Sequence, residues 1–543
     1  MTDKKTKHGQ YVNPGNEGFQ LILNSDYVDK SKMIELINAR INTPERLVCI
    51  SRPRRFGKSF AAQMLCAYYD ISSDSHELFD TLKIAKEKGY DEHLNKYNVI
   101  CFDVTGFIST ARRSKRPVSD VPNMIVDALQ KELVELHPFL KSDMTLSDCL
   151  LKCVEGTKDD PGKKFIFIID EWDALIREAK DDPNTQKEYL DLLREWFKDI
   201  SFSPKVVAAA YMTGILPIKK DGTQSAISDF FEFPILCPGV FAEYTGFTEG
   251  EVKELCEQYK VPFDDFKAWY DGYDFPDCAE IYNPYSVMCA IRNKKCRSYW
   301  KKTAAAESLF SYINMDFDGI QEIITRLIAG EDIEVNTENF QNDFETFESK
   351  DDVLTLLVHL GYLTYHDDEK TVRIPNEEVR SEYYSILNSN KVNSKWIKLI
   401  DKSRELLKNT IDGNSEAVIK AIKAIRETEY APTFYNNEQA LRYVIKFAYI
   451  VAIDQYMKVE ELPSGHGIAD VVYIPKRRSL LPLLIIELKW NKTAGGAIEQ
   501  IKNKEYPAVL QDYGGDIILV GINYDADTKE HTCEIERLHI DEK

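Results

Sequence analysis

The 543-residue sequence has no CxxC pair, no apolar run of eighteen residues and no excess of positive charge. Each absence excludes something. The eleven cysteines are odd in number, and Cys49, Cys66, Cys101 and Cys289 sit in apolar stretches, where free cysteine acts as a small hydrophobe. Cys149 and Cys153 are four apart and can share a helix face, but no further ligands accompany them, so no zinc site is expected. This usage points to a reducing cytoplasm. Without a long apolar run no membrane span is expected. The start, Met1 to Lys7, lacks an apolar core, so no signal peptide is expected. A formal net charge of −20 argues against broad, non-specific nucleic-acid binding, which needs clustered lysine and arginine. One stretch runs the other way: Lys476, Arg477, Arg478, Lys489, Lys492, Lys502 and Lys504 stand against Glu487 and Glu499. It is either a solvated surface or a local basic groove. No internal repeat or low-complexity tract is present.

What is present describes a globular chain of two to four domains, with 43% hydrophobic and 29% charged residues. The expected division is an N-terminal arm over 1–25, draped or poorly ordered, and an α/β core over 26–245. A helical subdomain over 246–350, a winged-helix-like module over 351–386, a helical connector over 387–430 and a last α/β unit over 431–543 follow. In the core, the apolar runs Leu47–Ile50, Val99–Val104, Phe165–Ile169 and Val206–Met212 alternate with helical patterns. Continuous apolar strands separated by helices predict a parallel sheet covered on both faces. The acidic turn Asp367–Lys370 is poor for phosphate contact, so the winged-helix-like module is expected to pack rather than to read DNA.

Two segments of the core carry phosphate chemistry. Arg52-Pro-Arg-Arg-Phe-Gly-Lys-Ser59 follows a strand and opens a helix. A phosphate loop needs backbone N–H groups aimed inward, a helix N-terminus and a lysine that reaches the β- and γ-phosphates. Gly57 allows close backbone approach, Lys58 supplies the charge and Ser59 can place its hydroxyl on Mg²⁺. The usual leading glycine is absent: Arg52 stands there, and Pro53 is expected to shape the loop instead. Arg54, Arg55 and Phe56 complete the expected nucleotide contacts. The second segment, Phe165-Ile-Phe-Ile-Ile-Asp-Glu-Trp-Asp173, ends a strand in acids at the edge where ligands bind in open α/β sheets. Asp170 is expected to hold Mg²⁺ through water, and Glu171 to orient or deprotonate the attacking water. Thr213, closing the fourth run, is a candidate γ-phosphate sensor. ATP and Mg²⁺ are thus the expected cofactors. A homo-oligomer, with Arg54, Arg55, Arg177 or Arg194 completing a neighbour's site, is an arrangement the sequence permits without selecting.

Tyr27-Val-Asp-Lys30, Arg52–Ser59, Asp170–Asp173, Trp269–Phe275 and Tyr282–Ser286 together resemble the bacterial AAA-ATPase-like proteins that carry a C-terminal nuclease-family domain of the PD-(D/E)XK type. The similarity runs from about Asn24 to about Ile540. It implies an ATPase core of the P-loop class, and the loop without a leading glycine is typical of that family.

The last unit offers a second constellation. Cutting phosphodiesters with Mg²⁺ needs carboxylates that hold metal and a cation that steadies the attacking water. Asp470 lies in an apolar strand. Glu487 and Lys489 are two apart in another, hence on one face. Gln500 and Lys504 share a face of a following helix, which Tyr506 closes. This order resembles the PD-(D/E)XK pattern. The resemblance implies Asp470 and Glu487 as metal ligands, Lys489 as the catalytic cation, Gln500 as an accessory and Glu438 as a further acid. Ala469 replaces the proline of the motif.

The expected fold class is α/β: a P-loop NTPase parallel sheet core, a helical and winged-helix-like middle region and a C-terminal restriction-endonuclease-like α/β domain. The expected function is ATP binding and hydrolysis coupled to Mg²⁺-dependent cleavage of nucleic acid, DNA before RNA, in defence or mobile-element control. The alternative is a nucleotide-switched binding or signalling protein with a silent nuclease-like domain.

Overall fold

The computed structural model describes residues 8–540 except 157–161, 219, 222–223, 226, 228, 276–277, 301–318, 329, 339, 341–348, 388–393, 427–440, 442–444, 446–447, 450, 453–455, 465–466, 476–480 and 504–514. Two compact units emerge. The first is 1–299 with 335–376; the second is 300–334 with 377–543. The division at 376/377 falls inside the winged-helix-like segment expected over 351–386.

The first unit is organised by five strands: β1 (Leu47–Ser51), β2 (Asn98–Asp103), β3 (Phe165–Asp170), β4 (Val207–Gly214) and β5 (Phe231–Phe233). They lie in the order β2-β3-β4-β1-β5, every pair parallel. Alternate side chains of β1 and β3 enter different cores. Phe165, Phe167 and Ile169 of β3 join Leu47 and Cys49 of β1 against the helices Val121–Leu136, Leu146–Glu155 and Pro183–Phe197. Ile166 and Ile168 join Val48 and Ile50 against the helix Lys58–Tyr69. A sheet apolar on both faces is therefore an α/β sandwich, and its strands read as unbroken apolar runs. Cys149 and Cys153 do share a helix face, and both are buried in the first of these cores.

Two details differ from the expectations, and one expected alternative is selected. The second strand stops at Asp103, not Val104: the Asp103 carboxylate accepts from Thr105 N (2.8 Å) and caps the helix Val104–Arg113. β5, a three-residue strand, was not expected. The N-terminal arm is firmly draped from residue 8 on. Asn13 N donates to Val99 O (2.7 Å) and Cys101 N to Tyr11 O (2.8 Å), which covers the exposed edge of β2.

The rest of this unit is built on a hairpin, Tyr273–Phe275 with Cys278–Tyr282, and the helices Glu249–Tyr259, Phe263–Tyr270 and Pro284–Asn293. Residues 335–376 dock on it. They carry the helix Lys350–Leu360, ended by left-handed Gly361, and the hairpin Thr364–His366 with Thr371–Arg373. Tyr273 donates its hydroxyl to Gly361 O (2.9 Å), Asn376 Nδ2 to Asp271 O (2.7 Å) and Asp274 N to Thr364 Oγ1 (3.0 Å). Gly272, at φ +97°, lets the chains meet: a Cβ there would lie 2.0 Å from Pro375 O.

The second unit holds a mixed sheet of β6 (Tyr456–Ser464), β7 (Gly467–Pro475), β8 (Leu483–Trp490), β9 (Gly515–Asp525) and β10 (Glu530–Ile540), in that order. Only β8 and β9 are parallel, and the helix Ala494–Asn503 makes the crossover that a parallel pair requires. Leu483 and Ile485 face Ile498 and Ile501 of that helix. Gly521 allows the close approach, since a Cβ on it would stand 2.4 Å from Ala494 O. Among the described residues no helix is long and apolar enough to cross a membrane.

Candidate functional site

The loop after β1 turns on two left-handed residues, Arg55 (φ +72°) and Gly57 (φ +87°). At Gly57 nothing lies within 4 Å of an added Cβ, so the backbone there faces open space. The helix Lys58–Tyr69 starts immediately behind it. Loop N–H groups, a helix N-terminus and a lysine thus share one concavity, the geometry that cradles phosphates.

Lys58 is 4% exposed. Its Nζ donates to Arg52 O and Pro53 O, both at 3.0 Å, and lies 3.5 Å from Glu171 Oε1. The lysine folds over its own loop. Asp170 ends β3 opposite it, receives a hydrogen bond from the Thr213 hydroxyl and lies near that of Ser59. Burial lifts the Asp170 carboxyl above its ordinary value, although these hydroxyls and the charge of Lys58 pull it down. Burial also pushes Glu171 up, but Lys58, Arg177 and Arg54 outweigh it and hold that carboxyl below the usual glutamate value. Glu171 sits at φ +51°, unusual for a residue with a Cβ, and its N–H is tied to Asp170 Oδ1 (3.2 Å) and Thr213 Oγ1 (3.3 Å).

Arg54, Arg55, Phe56, Gly57, Lys58, Ser59, Asp170, Glu171 and Arg177 line one cavity of about 640 Å³. Apolar and aromatic side chains line it too. The Asn-Pro-Tyr-Ser segment supplies some of them: Asn283 caps the helix Pro284–Asn293 by accepting from Ser286 N (3.2 Å), with Pro284 in the first turn. Tyr285, Met288 and Arg292, at i, i+3 and i+7, then share one face, and all three line the cavity with Tyr27 and Phe247. Arg292 is fixed by Asp26 (3.1 Å). Sequence reasoning used this segment for the family resemblance. The signal it passed over was an N-cap followed by an aromatic residue at the second helical position.

The outer side of the loop is anchored by Arg52 rather than Pro53. The Arg52 guanidinium is fully buried, donates from Nη1 to Ser51 O (2.8 Å) and Phe233 O (2.7 Å), and lies 5.1 Å over the Phe275 ring. Burial pulls its pKa down to about 9. Burial, with Arg52 as a second cause, drives the enclosed His359 down to about 3, so that imidazole is neutral. Phe56 presses edge-on against Tyr273 (5.0 Å between ring centres), and its carbonyl accepts from Gly246 N (3.0 Å). Trp269–Phe275 therefore backs the phosphate loop.

The remaining expected residues distribute as follows. Thr213 is fully buried, outside the cavity lining, and acts on Asp170 and the Glu171 N–H. Arg55 donates to Tyr299 O (2.7 Å) and lies 4.5 Å over Tyr285. Arg194 pairs with Asp191 (2.7 Å). In the second unit, Glu487 and Lys489 are 2% and 7% exposed. Lys489 Nζ donates to Glu487 Oε1 (3.2 Å), and Gln500 Nε2 reaches the same oxygen. Val471 pairs with Ile486, so continuing that antiparallel register puts residue 470 opposite Glu487. The Asp470 side chain lies outside the described residues, as do Glu438, Lys476, Arg477, Arg478, Lys504 and Tyr506.

Known proteins are similar to this chain over most of its length. A protein of Azotobacter chroococcum mcd 1, described as an uncharacterized protein in the vnfD 5' region, is 21% identical over 502 residues, spanning 88% of this chain and 90% of that protein. Two solved structures superpose loosely. One is a replication initiator DnaA bound to AMPPCP and single-stranded DNA, at 9% identity and TM-score 0.28 over 75% of this chain and 97% of that one. The other is a DNA replication initiation factor, at 11% identity and TM-score 0.23 over 79% and 96%. Residues 15–224 match a family model, AAA-ATPase_like, described as a predicted AAA-ATPase. The N-terminal region of the chain is an AAA-ATPase-like domain.

Proposed function

We propose that the first unit binds and hydrolyses ATP. One observation carries this reading: Lys58, Ser59, Asp170 and Glu171 line a single cavity together with Tyr27, Phe247 and Tyr285. That pairing suits a triphosphate at one end and a purine base at the other. Ser59 and Asp170 are a hard oxygen pair, and burial has raised the acid, so a divalent cation fits there by charge and donor type. Mg²⁺ at that place supplies charge neutralisation for the β- and γ-phosphates. Lys58 turns from the loop carbonyls to the phosphates. Thr213 orients Asp170. Glu171 accepts the proton of the attacking water. Tyr285, Met288 and Phe247 stack on the base.

Lys58→Ala is expected to weaken ATP binding about 100-fold, equivalent to about 2.7 kcal/mol, read by isothermal titration. Affinity within threefold of the wild type would exclude the site.

The second unit we read as the phosphodiester-cleaving part of the same protein, with DNA as the expected substrate. The support is the meeting of Glu487, Lys489 and Gln500 on the sheet face covered by the Ala494–Asn503 helix, with residue 470 across the strand pair. Glu487 and Asp470 would hold Mg²⁺, Lys489 would steady the water, and Gln500 fixes Glu487. Of linear and circular DNA and RNA, given with Mg²⁺ and ATP, the DNA should be cut by the wild type and left whole by Lys489→Ala, a loss of roughly 100-fold or more. If the wild type cuts nothing while ATP alters its assembly or partner binding, the protein is a nucleotide switch with a silent second unit.

A further inference from the structure

Arg177 projects from the short helix Ala174–Glu178, six residues beyond Glu171. Its side chain is 16% exposed and engaged on both edges. Nη2 donates to Glu171 Oε2 at 2.7 Å, and Nε donates to Asp173 Oδ2 at 3.0 Å. Asp173 is itself held, because that oxygen also accepts Ile215 N (3.2 Å) and Leu216 N (3.0 Å) beyond β4. Gly214 permits the fit: a Cβ there would stand 2.9 Å from Asp173 Oδ1 and 2.8 Å from Trp172 Nε1. The end of β4 thus fixes Asp173, Asp173 fixes Arg177, and Arg177 fixes one oxygen of Glu171.

The other oxygen, Oε1, faces Lys58 at 3.5 Å. A triphosphate competes for Lys58, whereas Arg177 stays bound to Asp173. Arg177 is then the cation that keeps hold of Glu171 when nucleotide is present. The same pairing argues against a role in a neighbour's site, since an arginine finger needs a guanidinium free to leave its own chain.

We infer that Arg177 is a positioning residue acting in cis: it clamps Oε2 of Glu171 so that Oε1 is presented to the attacking water. The inference rests on the reading of Glu171 as the base in ATP hydrolysis. In that step the water oxygen bonds to the γ-phosphorus and the bond to the β–γ bridging oxygen breaks. ADP leaves with the electron pair, and the water proton passes to Oε1. A carboxylate clamped through one oxygen loses little orientational freedom on reaching that geometry, which is where a fork-shaped guanidinium differs from a lysine.

The test uses the full chain and three variants, R177Q, R177K and E171Q, with the double variant E171Q/R177Q. Turnover of Mg-ATP and the affinity for a non-hydrolysable ATP analogue, by titration calorimetry, are both measured. R177Q should lower kcat roughly 30-fold or more, with analogue affinity within about threefold of the wild type. R177K, which keeps the charge but not the fork, should recover part of that loss. The double variant should be no slower than E171Q alone, since both changes remove one device. Wild-type kcat in R177Q overturns the inference, as does lost affinity at unchanged kcat, or a double variant slower by the product of the two single effects. If R177Q does not fold, R177K decides: a kcat reduced about fivefold at unchanged affinity is expected, and wild-type kcat overturns. An E171Q enzyme as fast as the wild type, or a wild type that binds ATP without turnover, refutes the underlying reading and the inference with it. Wild-type kcat in R177Q beside a dead E171Q refutes the inference alone.

Discussion

Glu171→Gln should leave ATP bound and all but stop its hydrolysis. The glutamine is the same size and can still face Lys58, but it cannot take a proton. Loss of a positioned general base costs roughly 10²–10⁴-fold in rate, so a fall in kcat of that order is expected. Affinity should stay level or rise, because Lys58, released from an anion 3.5 Å away, is freer to meet phosphate. The measurement is a steady-state ATPase assay beside calorimetry with ATP on the same preparation. A kcat within tenfold of the wild type would show that another group takes the proton. The contrast with Lys58→Ala is the informative part: one variant loses binding, the other keeps binding and loses chemistry.

Gly272→Ala should be the most damaging single methyl in the first unit. Two costs add there. The residue sits at φ +97°, a conformation that an alanine adopts only under strain, and the new Cβ would lie 2.0 Å from Pro375 O and 2.8 Å from Pro375 C. Both obstacles are backbone, which cannot swing aside as a flexible side chain would. Strain of about 1–3 kcal/mol and overpacking of similar size give roughly 2–6 kcal/mol of destabilisation. Gly413→Ala is the control, because that glycine has φ +75° with nothing within 4 Å of the added atom. It should show the strain alone, about 1 kcal/mol. Urea unfolding followed by tryptophan fluorescence reads both. Equal midpoints for the two variants would mean that the Pro375 contact is soft. A weakened ATP affinity in folded Gly272→Ala would follow from Phe56, whose ring is seated on Tyr273 one residue further on.

How much of this was readable from the residues depends on how local the cause is. The long strands of the first sheet were legible because both faces are buried, which leaves unbroken apolar runs such as Phe165–Ile169. β5 was not, because Phe231-Glu-Phe233 is three residues held in place by β1 rather than by any run of its own. The phosphate loop was recognisable from Gly57-Lys-Ser despite its missing glycine, whereas the burial of Arg52 depends on Phe233 and Phe275, some 180 and 220 positions away, and no spacing rule reaches so far. Glu487 and Lys489 share a face because strands alternate, and Gln500 joins them through a crossover helix that a parallel pair requires. Arg177 shows the limit. As a letter it was one cation among four. Only the turn after Asp170, with Glu171 left-handed, brings it to the Glu171 carboxylate.

The backing of the loop by Arg52 and Phe56 has a practical corollary for dissection. The stretch 15–224 that matches the AAA-ATPase_like family contains every residue proposed to face phosphate, yet it ends before Phe233, Gly246, Tyr273 and Phe275. A clone trimmed to that similarity would keep the cradle and discard the masonry behind it. It would expose a guanidinium and a phenyl ring that the whole chain hides, and a poor nucleotide affinity would be a property of the cut, not of the whole chain.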